Sequence, residues 1–374
     1  MKGIKFSKHN INERGLNLVK KIIKSGWLTH GKFTTLFEKK FSKFTKSKYC
    51  VSVSNCTAAL HLSCIASGFK NGDEVIVPSM THTATAHAVE YTGAKAVFAD
   101  VDFESGNLDL SYIKKKITKK TKGVILVHMA GMPCDLEKIV SFCKKKKIIL
   151  LEDCAHALGT RYNNYHVGNF GLSGSFSFYP TKQITTGEGG VVITNNKSFY
   201  KKIKKLKAFG IDKDISERKK QGEYDVKDLG FNYRMTDFQA ALGYQQILLY
   251  KKNLERRHAI AKRYIENLSN CDEIIFSKFS KDCSYFIFQI FCKNSKKRDY
   301  LLKKLKENNI GVSVHYTTPL PRMSYYKKKY NLKIEDFPNA NLYGGKNISL
   351  PVYPKLSNSD IDKICSIIIK LVKS

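Results

Sequence analysis

Apolar and polar positions alternate in blocks along the first two thirds of the chain. Short apolar runs at 49–53, 74–77, 96–99, 123–127, 148–151 and 190–194 predict strands. Between them, segments 57–67, 84–91, 110–115 and 136–146 have helical patterning. Strand and helix in alternation make an α/β pattern, with a mostly parallel central sheet covered by helices on both faces. Ligands of such sheets collect at the carboxyl ends of the strands. Asn55, Thr81, Asp153 and Lys182 all fall in turns near predicted strands. Four separate turns are therefore expected on one rim.

The pattern changes from about residue 235. Segment 237–265 predicts one or two long helices, with 250–255 as a candidate break. An alternating strand at 285–291, a helix at 296–308, an extended stretch at 311–316, a loop holding Pro319 and Pro321, and a final helix at 359–372 follow. Two domains are expected: residues 1–245 as a large ligand-binding domain with its N-terminal segment, and 246–374 as a smaller C-terminal α+β domain.

Composition narrows the class. The chain has 374 residues with 42% hydrophobic content, enough for a large core. No run approaches the roughly 20 apolar residues of a membrane-spanning helix. The basic start lacks an apolar stretch behind it, so neither a signal nor a transit peptide is expected, and the protein is read as cytoplasmic. Ten cysteines are scattered without C-x-x-C or zinc-ligand spacing, which predicts reduced, buried thiols and no metal. The formal net charge is +33, yet only 9 of the 65 basic residues are arginine. Arginine is the residue favoured for bidentate phosphate and base contacts. The lysines lie in short runs over the whole length, as solvated helix faces do. No nucleic-acid partner is inferred, and the positive field is expected to attract a small anionic substrate.

The most informative segment is Ser175-Phe-Ser-Phe-Tyr-Pro-Thr-Lys-Gln-Ile-Thr-Thr-Gly-Glu-Gly-Gly190. It sets Lys182 behind an apolar and hydroxyl-bearing run and ahead of a glycine-rich turn. A desolvated lysine has a lowered pKa and a free amine for attack on a carbonyl. Asp153 ends the buried run Ile148-Ile-Leu-Leu-Glu-Asp153. A buried lysine with a distant carboxylate is the pair that pyridoxal 5'-phosphate (PLP) chemistry uses. The lysine forms the Schiff base, and the carboxylate keeps the pyridine nitrogen protonated. Asp153 can also be a strand-end cap, although a cap needs neither Glu152 beside it nor a buried strand before it, and His156 can equally be a satisfied core histidine. The run Ser52-Val-Ser-Asn-Cys-Thr-Ala58 reads as a strand, a tight turn and a helix start. Backbone N–H groups of Thr57 and Ala58 there suit a phosphate, with the Ser177 hydroxyl in support. His82 follows another strand, where a flat ring can stack on the cofactor or serve as an ordinary loop residue.

With these residues in hand, the chain resembles the DegT/StrS-type sugar-nucleotide aminotransferases, members of the fold-type-I, aspartate-aminotransferase-like PLP enzymes. The resemblance runs nearly end to end. It includes Ser25-Gly-Trp-Leu-Thr-His-Gly31, Asn55-Cys-Thr-Ala-Ala-Leu60, Glu152-Asp-Cys-Ala-His-Ala157, Ser175 to Gly190, Gly230-Phe-Asn-Tyr-Arg-Met-Thr236 and Val314-His-Tyr316. It implies a fold-type-I PLP-dependent transferase with Lys182 as the Schiff-base lysine and Asp153 on the pyridine nitrogen. It implies His156 near the phenolic oxygen, and Thr57, Ala58 and Ser177 on the phosphate, with Cys56 where the family has glycine. His82 takes the ring-stacking position, where Trp, Tyr or Phe is commoner. Asn232 would reach the phosphate of the neighbouring subunit in a homodimer with shared sites. His315 and Tyr316 would lie near the sugar nucleotide. The implied reaction moves an amino group from a donor, L-glutamate, to a keto-sugar nucleotide. A subgroup with histidine in place of the lysine removes a sugar hydroxyl instead, and Lys182 is intact here. Other readings are a keto-cyclitol or a keto sugar without a nucleotide as acceptor, or a non-catalytic regulatory, nucleic-acid-binding relative. The substrate wall is expected from Trp27, 213–224 and 317–330.

Overall fold

The computed structural model describes residues 3–212, 220 and 222–373. Its central sheet contains β1 (Tyr49–Val53), β2 (Glu74–Pro78), β3 (Lys95–Ala99), β4 (Thr121–Val127) and β5 (Ile149–Asp153). A two-stranded hairpin of β6 (Arg161–Tyr162) and β7 (Tyr165–His166) intervenes, and β8 (Ser173–Ser177) and β9 (Gly190–Thr194) complete the seven strands. Their order is β1-β9-β8-β5-β4-β2-β3. Strands β2, β3, β4, β5 and β8 run parallel, whereas β9 is antiparallel to both of its neighbours, β1 and β8. Strands β1, β2, β5 and β8 therefore point the same way. Their carboxyl ends share one rim with the start of β9. This is the expected α/β, fold-type-I arrangement.

Central strands are apolar on both sides, as a sheet covered on both faces requires. In β4, Val124 and Leu126 enter one core and Ile125 enters the other. Two helices precede the sheet, α1 (Glu13–Ser25) and α2 (Lys32–Thr45). Helices α3 (Cys56–Ala66), α4 (Thr83–Glu90), α5 (Leu110–Lys116), α6 (Leu136–Lys146) and α7 (Lys197–Leu206) connect the strands. Asn12, Asn55, Asp109 and Asn196 cap α1, α3, α5 and α7, each side-chain oxygen accepting a first-turn N–H.

Helix α8 (Asp237–Leu268) is one continuous helix of 32 residues and crosses the expected boundary at 245/246. The candidate break at 250–255 does not occur. Tyr250, Asn253 and Arg257 keep the buried stripe in register through that stretch, and the Tyr250 hydroxyl donates to Leu158 O at 2.6 Å. Beyond α8, strands β10 (Ile274–Ile275), β11 (Phe288–Cys292) and β12 (Asn347–Leu350) form an antiparallel sheet. Helices α9 (Ser295–Glu307), α10 (Ser324–Tyr330), α11 (Pro338–Lys346) and α12 (Asn358–Lys373) complete an α+β region. The strand expected at 285–291 starts later. The N–H groups of Ser284 and Phe286 bond instead to Gly131 O and Ala130 O, outside that sheet. The stretch at 311–316 makes only an isolated bridge, Ser313 to Ser349.

All ten cysteines are buried and unpaired. No helix among the described residues is long and apolar enough to cross a membrane. Beside Asp153, Glu152 is fully buried. Its Oε1 accepts from the N–H groups of Phe170 (2.8 Å) and Gly171 (2.7 Å). Its Oε2 accepts from Gly168 N–H at 2.7 Å and meets His128 Nε2 at 3.1 Å. His128, Glu152 and Cys154 lie close together, but these donors already occupy both carboxylate oxygens. The carboxylate instead pins the chain that re-enters the sheet as β8. Glu152→Ala strands these donors in the interior. It is expected to cost about 3–5 kcal/mol, read as a lowered urea midpoint of the ligand-free protein. An unchanged midpoint would refute this role.

Candidate active site

The rim of the sheet opens into a cavity of about 850 Å³. Its lining includes Asn55, Thr81, Asp153 and Lys182, the four turn residues singled out by the sequence. Cys56, Thr57, Ala58, His82, His156, Ser177, His315 and Tyr316 line it too. Of the candidate residues, Asn232 does not line this cavity. It is exposed, and its backbone bridges to Ala208.

Lys182 is half-buried, with Nζ over the Phe286 ring at 4.5 Å from the centroid. Burial lowers its pKa to about 8, while Cys56 and Asp153 pull it back up. The residue after it fixes the loop: Gln183 Nε2 donates to His156 O and to Ser284 Oγ, each at 3.0 Å.

Asp153 is the last residue of β5. Its Oδ1 accepts from Ala155 N–H at 3.0 Å and its Oδ2 from Thr85 Oγ1 at 2.9 Å. Burial raises its pKa, and the Ala155 and Thr85 hydrogen bonds, then the Lys182 charge, oppose that rise. A cation placed against this carboxylate would restore its ionised form.

The histidines of the cavity are neutral at pH 7. Burial first, and the Lys182 charge second, hold His156 well below the usual imidazole range and His315 at about 3. His156 stacks on Phe286 at 4.4 Å between centroids. Its Nε2 lies 3.3 Å from the Tyr316 hydroxyl, whose pKa burial raises. His156 Nδ1 is buried with no hydrogen-bond partner among the described residues. His82 caps α4, with Nδ1 accepting from Ala84 N–H at 3.2 Å. Its ring stays exposed at the cavity, tilted 56° to Tyr316. His315 Nδ1 lies 3.0 Å from Ser349 Oγ.

At the start of α3 the Ala58 N–H is already donated to Asn55 Oδ1 at 2.8 Å. Of the two N–H groups expected at the phosphate, this one is committed to the helix cap. The Thr57 N–H, one residue earlier, has no acceptor within the helix. Cys56 is the first helical residue and needs no left-handed conformation, so its replacement of glycine leaves the turn unstrained. The glycine that this turn needs is Gly190 of β9. A Cβ there would lie 2.7 Å from Asn55 C and 2.8 Å from Cys56 N.

Trp27, 213–224 and 317–330 were expected at the substrate wall. Trp27 is exposed, and neither it nor any residue of 317–330 lines the cavity. The latter stretch packs α10 on α4 instead, through Tyr326 OH and His87 Nδ1 at 2.6 Å. Of 213–224, residues 213–219 and 221 lie outside the described residues. Thr85, Gln183 and Phe286 were missed as site residues. Thr85 alone had a legible signal, a hydroxyl four residues after Thr81.

Residues 9–369 match the model of the DegT/DnrJ/EryC1/StrS aminotransferase family. The chain belongs to this family. This aminotransferase is 36% identical over 369 residues to GDP-perosamine synthase of Escherichia coli O157:H7, covering 98% of this chain and 97% of that protein. Spr1654 of Streptococcus pneumoniae, in its PMP-form, superposes with a TM-score of 0.93 at 29% identity, over 99% of both chains. Helicobacter pylori PseC, an aminotransferase involved in the biosynthesis of pseudoaminic acid, does so with a TM-score of 0.92 at 27% identity, over 100% of both chains. The enzyme is a PLP-dependent aminotransferase. Its cavity fits that cofactor: a buried carboxylate for a ring nitrogen, an unpartnered imidazole nitrogen, a helix N-terminus for a phosphate, and a lysine amine.

Two outcomes follow from this geometry. Gly190→Ala forces the turn at Asn55 and Cys56 away from β9. It should weaken PLP binding about tenfold or more, since overpacking of this kind costs roughly 1–3 kcal/mol; equal affinity in an absorbance titration would refute it. The rate of PLP uptake by the stripped enzyme should rise with pH around a midpoint near 8. Below that midpoint the Lys182 amine is protonated and cannot attack, and above it the amine is free. A flat profile from pH 6 to 9 would contradict the assignment.

Proposed function

We propose that this aminotransferase moves an amino group from L-glutamate to the keto group of a nucleotide-linked sugar, supplying amino sugars for surface polysaccharides. The observation that carries the reading is the facing of Lys182 and Asp153 into one cavity on the rim of the sheet. Bound PLP supplies an aldehyde that takes up the amino group and a ring that accepts the electron pair released at the substrate carbon.

The chain's own residues do the rest. Asp153 holds the proton of the ring nitrogen through a charge-assisted hydrogen bond. Thr57 N–H and the Ser177 hydroxyl bind the phosphate, beside Cys56 and Ala58. In a homodimer with shared sites, Asn232 reaches the phosphate from the partner subunit, in keeping with its exposure and its place outside its own chain's cavity. His82 would face the ring, and His156 would offer a neutral imidazole to the phenolic oxygen. Lys182 Nζ, partly deprotonated at neutral pH, would take and return the proton at the substrate carbon. His315 and Tyr316 meet the sugar with uncharged polar groups.

The nucleotide is supported by likeness to a GDP-perosamine synthase over nearly the full length. The net charge of +33 favours an anionic diphosphate in approach. Such a substrate suits a cytoplasmic enzyme. Lys182→Ala is expected to lose the visible absorbance of bound PLP and all measurable turnover. The wild-type enzyme, loaded with pyridoxamine phosphate, should regain that absorbance with a nucleotide-linked keto sugar and not with the free keto sugar or a keto-cyclitol. Return of absorbance with the unlinked acceptors alone would overturn the substrate class.

A further inference from the structure

We propose that Thr85, held in turn by Thr81, is a positioning residue for Asp153 in the amino-transfer reaction. The proposal rests on the assignment of Asp153 to the ring nitrogen.

Thr85 lies in the first turn of α4 and is fully buried. A helical threonine ordinarily turns its hydroxyl back to a carbonyl of the preceding turn. This one reaches across the fold, 68 residues in sequence, to Asp153 Oδ2 at 2.9 Å. An ionised carboxylate only accepts, so the Thr85 proton is committed to it. The Thr81 hydroxyl, 2.8 Å from Thr85 Oγ1, must then be the donor in its own bond. Both hydroxyls are buried. The result is a directed chain of two hydrogen bonds, each polarising the next toward the carboxylate.

The chain acts on the two properties that Asp153 needs. It fixes the rotation of the carboxyl group, with Oδ1 held by Ala155 N–H and Oδ2 by Thr85. It also stabilises the ionised form against burial, which works the other way. A carboxyl that kept its own proton would have no attraction for a protonated ring nitrogen. The same short turn carries His82 at the cavity, so one segment orders the acid and the stacking ring together.

The test measures PLP affinity of the stripped enzyme by absorbance titration, together with turnover. Thr85→Val keeps the shape and removes the donor; about tenfold weaker binding and slower turnover are expected, the scale of one hydrogen bond to a charged group. Thr85→Ser should restore both to within about threefold, and Thr81→Val should show a smaller loss of the same kind. In an Asp153→Asn background, Thr85→Val should add nothing, because its effect passes through the carboxylate. Wild-type affinity and turnover in Thr85→Val, no rescue by serine, or fully additive losses with Asp153→Asn would each overturn the proposal. If Thr85→Val does not fold, Thr81→Val and Thr85→Ser decide alone. An Asp153→Asn enzyme with unchanged affinity and turnover would instead break the assignment of Asp153 itself.

Discussion

Two consecutive carboxylates, both removed from water, end the central strand β5. Burying one such charge is costly unless donors meet it. Strand geometry sends neighbouring side chains to opposite faces, and this protein gives the two acids different company. Glu152 is saturated by backbone N–H groups and ties down the return of the chain into β8. Among the described residues Asp153 receives two donors, and it is left with accepting capacity toward the cavity. One acid closes the fold and its neighbour leaves it open. The remainder of the site is arranged about that difference.

Much of this was legible in the sequence. The runs at 49–53 and 190–194 coincide with β1 and β9, because buried central strands read as continuous apolar stretches. That Lys182 and Asp153 would meet on one rim was visible in the turns that carry them, and both line the one cavity. The Phe33, Phe37, Phe41 and Phe44 spacing of α2 was also present in the chain, although lysines crowd it. Other features were beyond sequence patterning. Strand β8 is Ser-Gly-Ser-Phe-Ser, with little apolar signal; it is a strand because Glu152 and β5 hold it there. Tyr250 to Glu255 looked like a break for want of apolar residues, yet buried polar groups keep α8 in register. The partner of a side chain, such as Gln183 for the lysine loop, is set by tertiary contact and leaves no mark on spacing.

The cavity collects aromatic and imidazole rings but little charge. His156 and His315 are neutral by virtue of burial and the lysine nearby. Burial first, and the Asp153 charge second, keep the proton on the Tyr316 hydroxyl. These groups can donate and accept hydrogen bonds without competing with Lys182 and Asp153 for counter-charges. An acceptor with many hydroxyls matches such walls better than one with several carboxylates would.

Helix α8 belongs to both parts of the molecule. From Tyr244 to Leu268 it contains neither glycine nor proline, so it has no inbuilt point of weakness where the two regions meet. The C-terminal region also reaches the sheet where the N–H groups of Ser284 and Phe286 bond to Gly131 O and Ala130 O. That contact brings Phe286 beneath the Lys182 amine, so residues from beyond the long helix furnish part of the floor on which the amine sits.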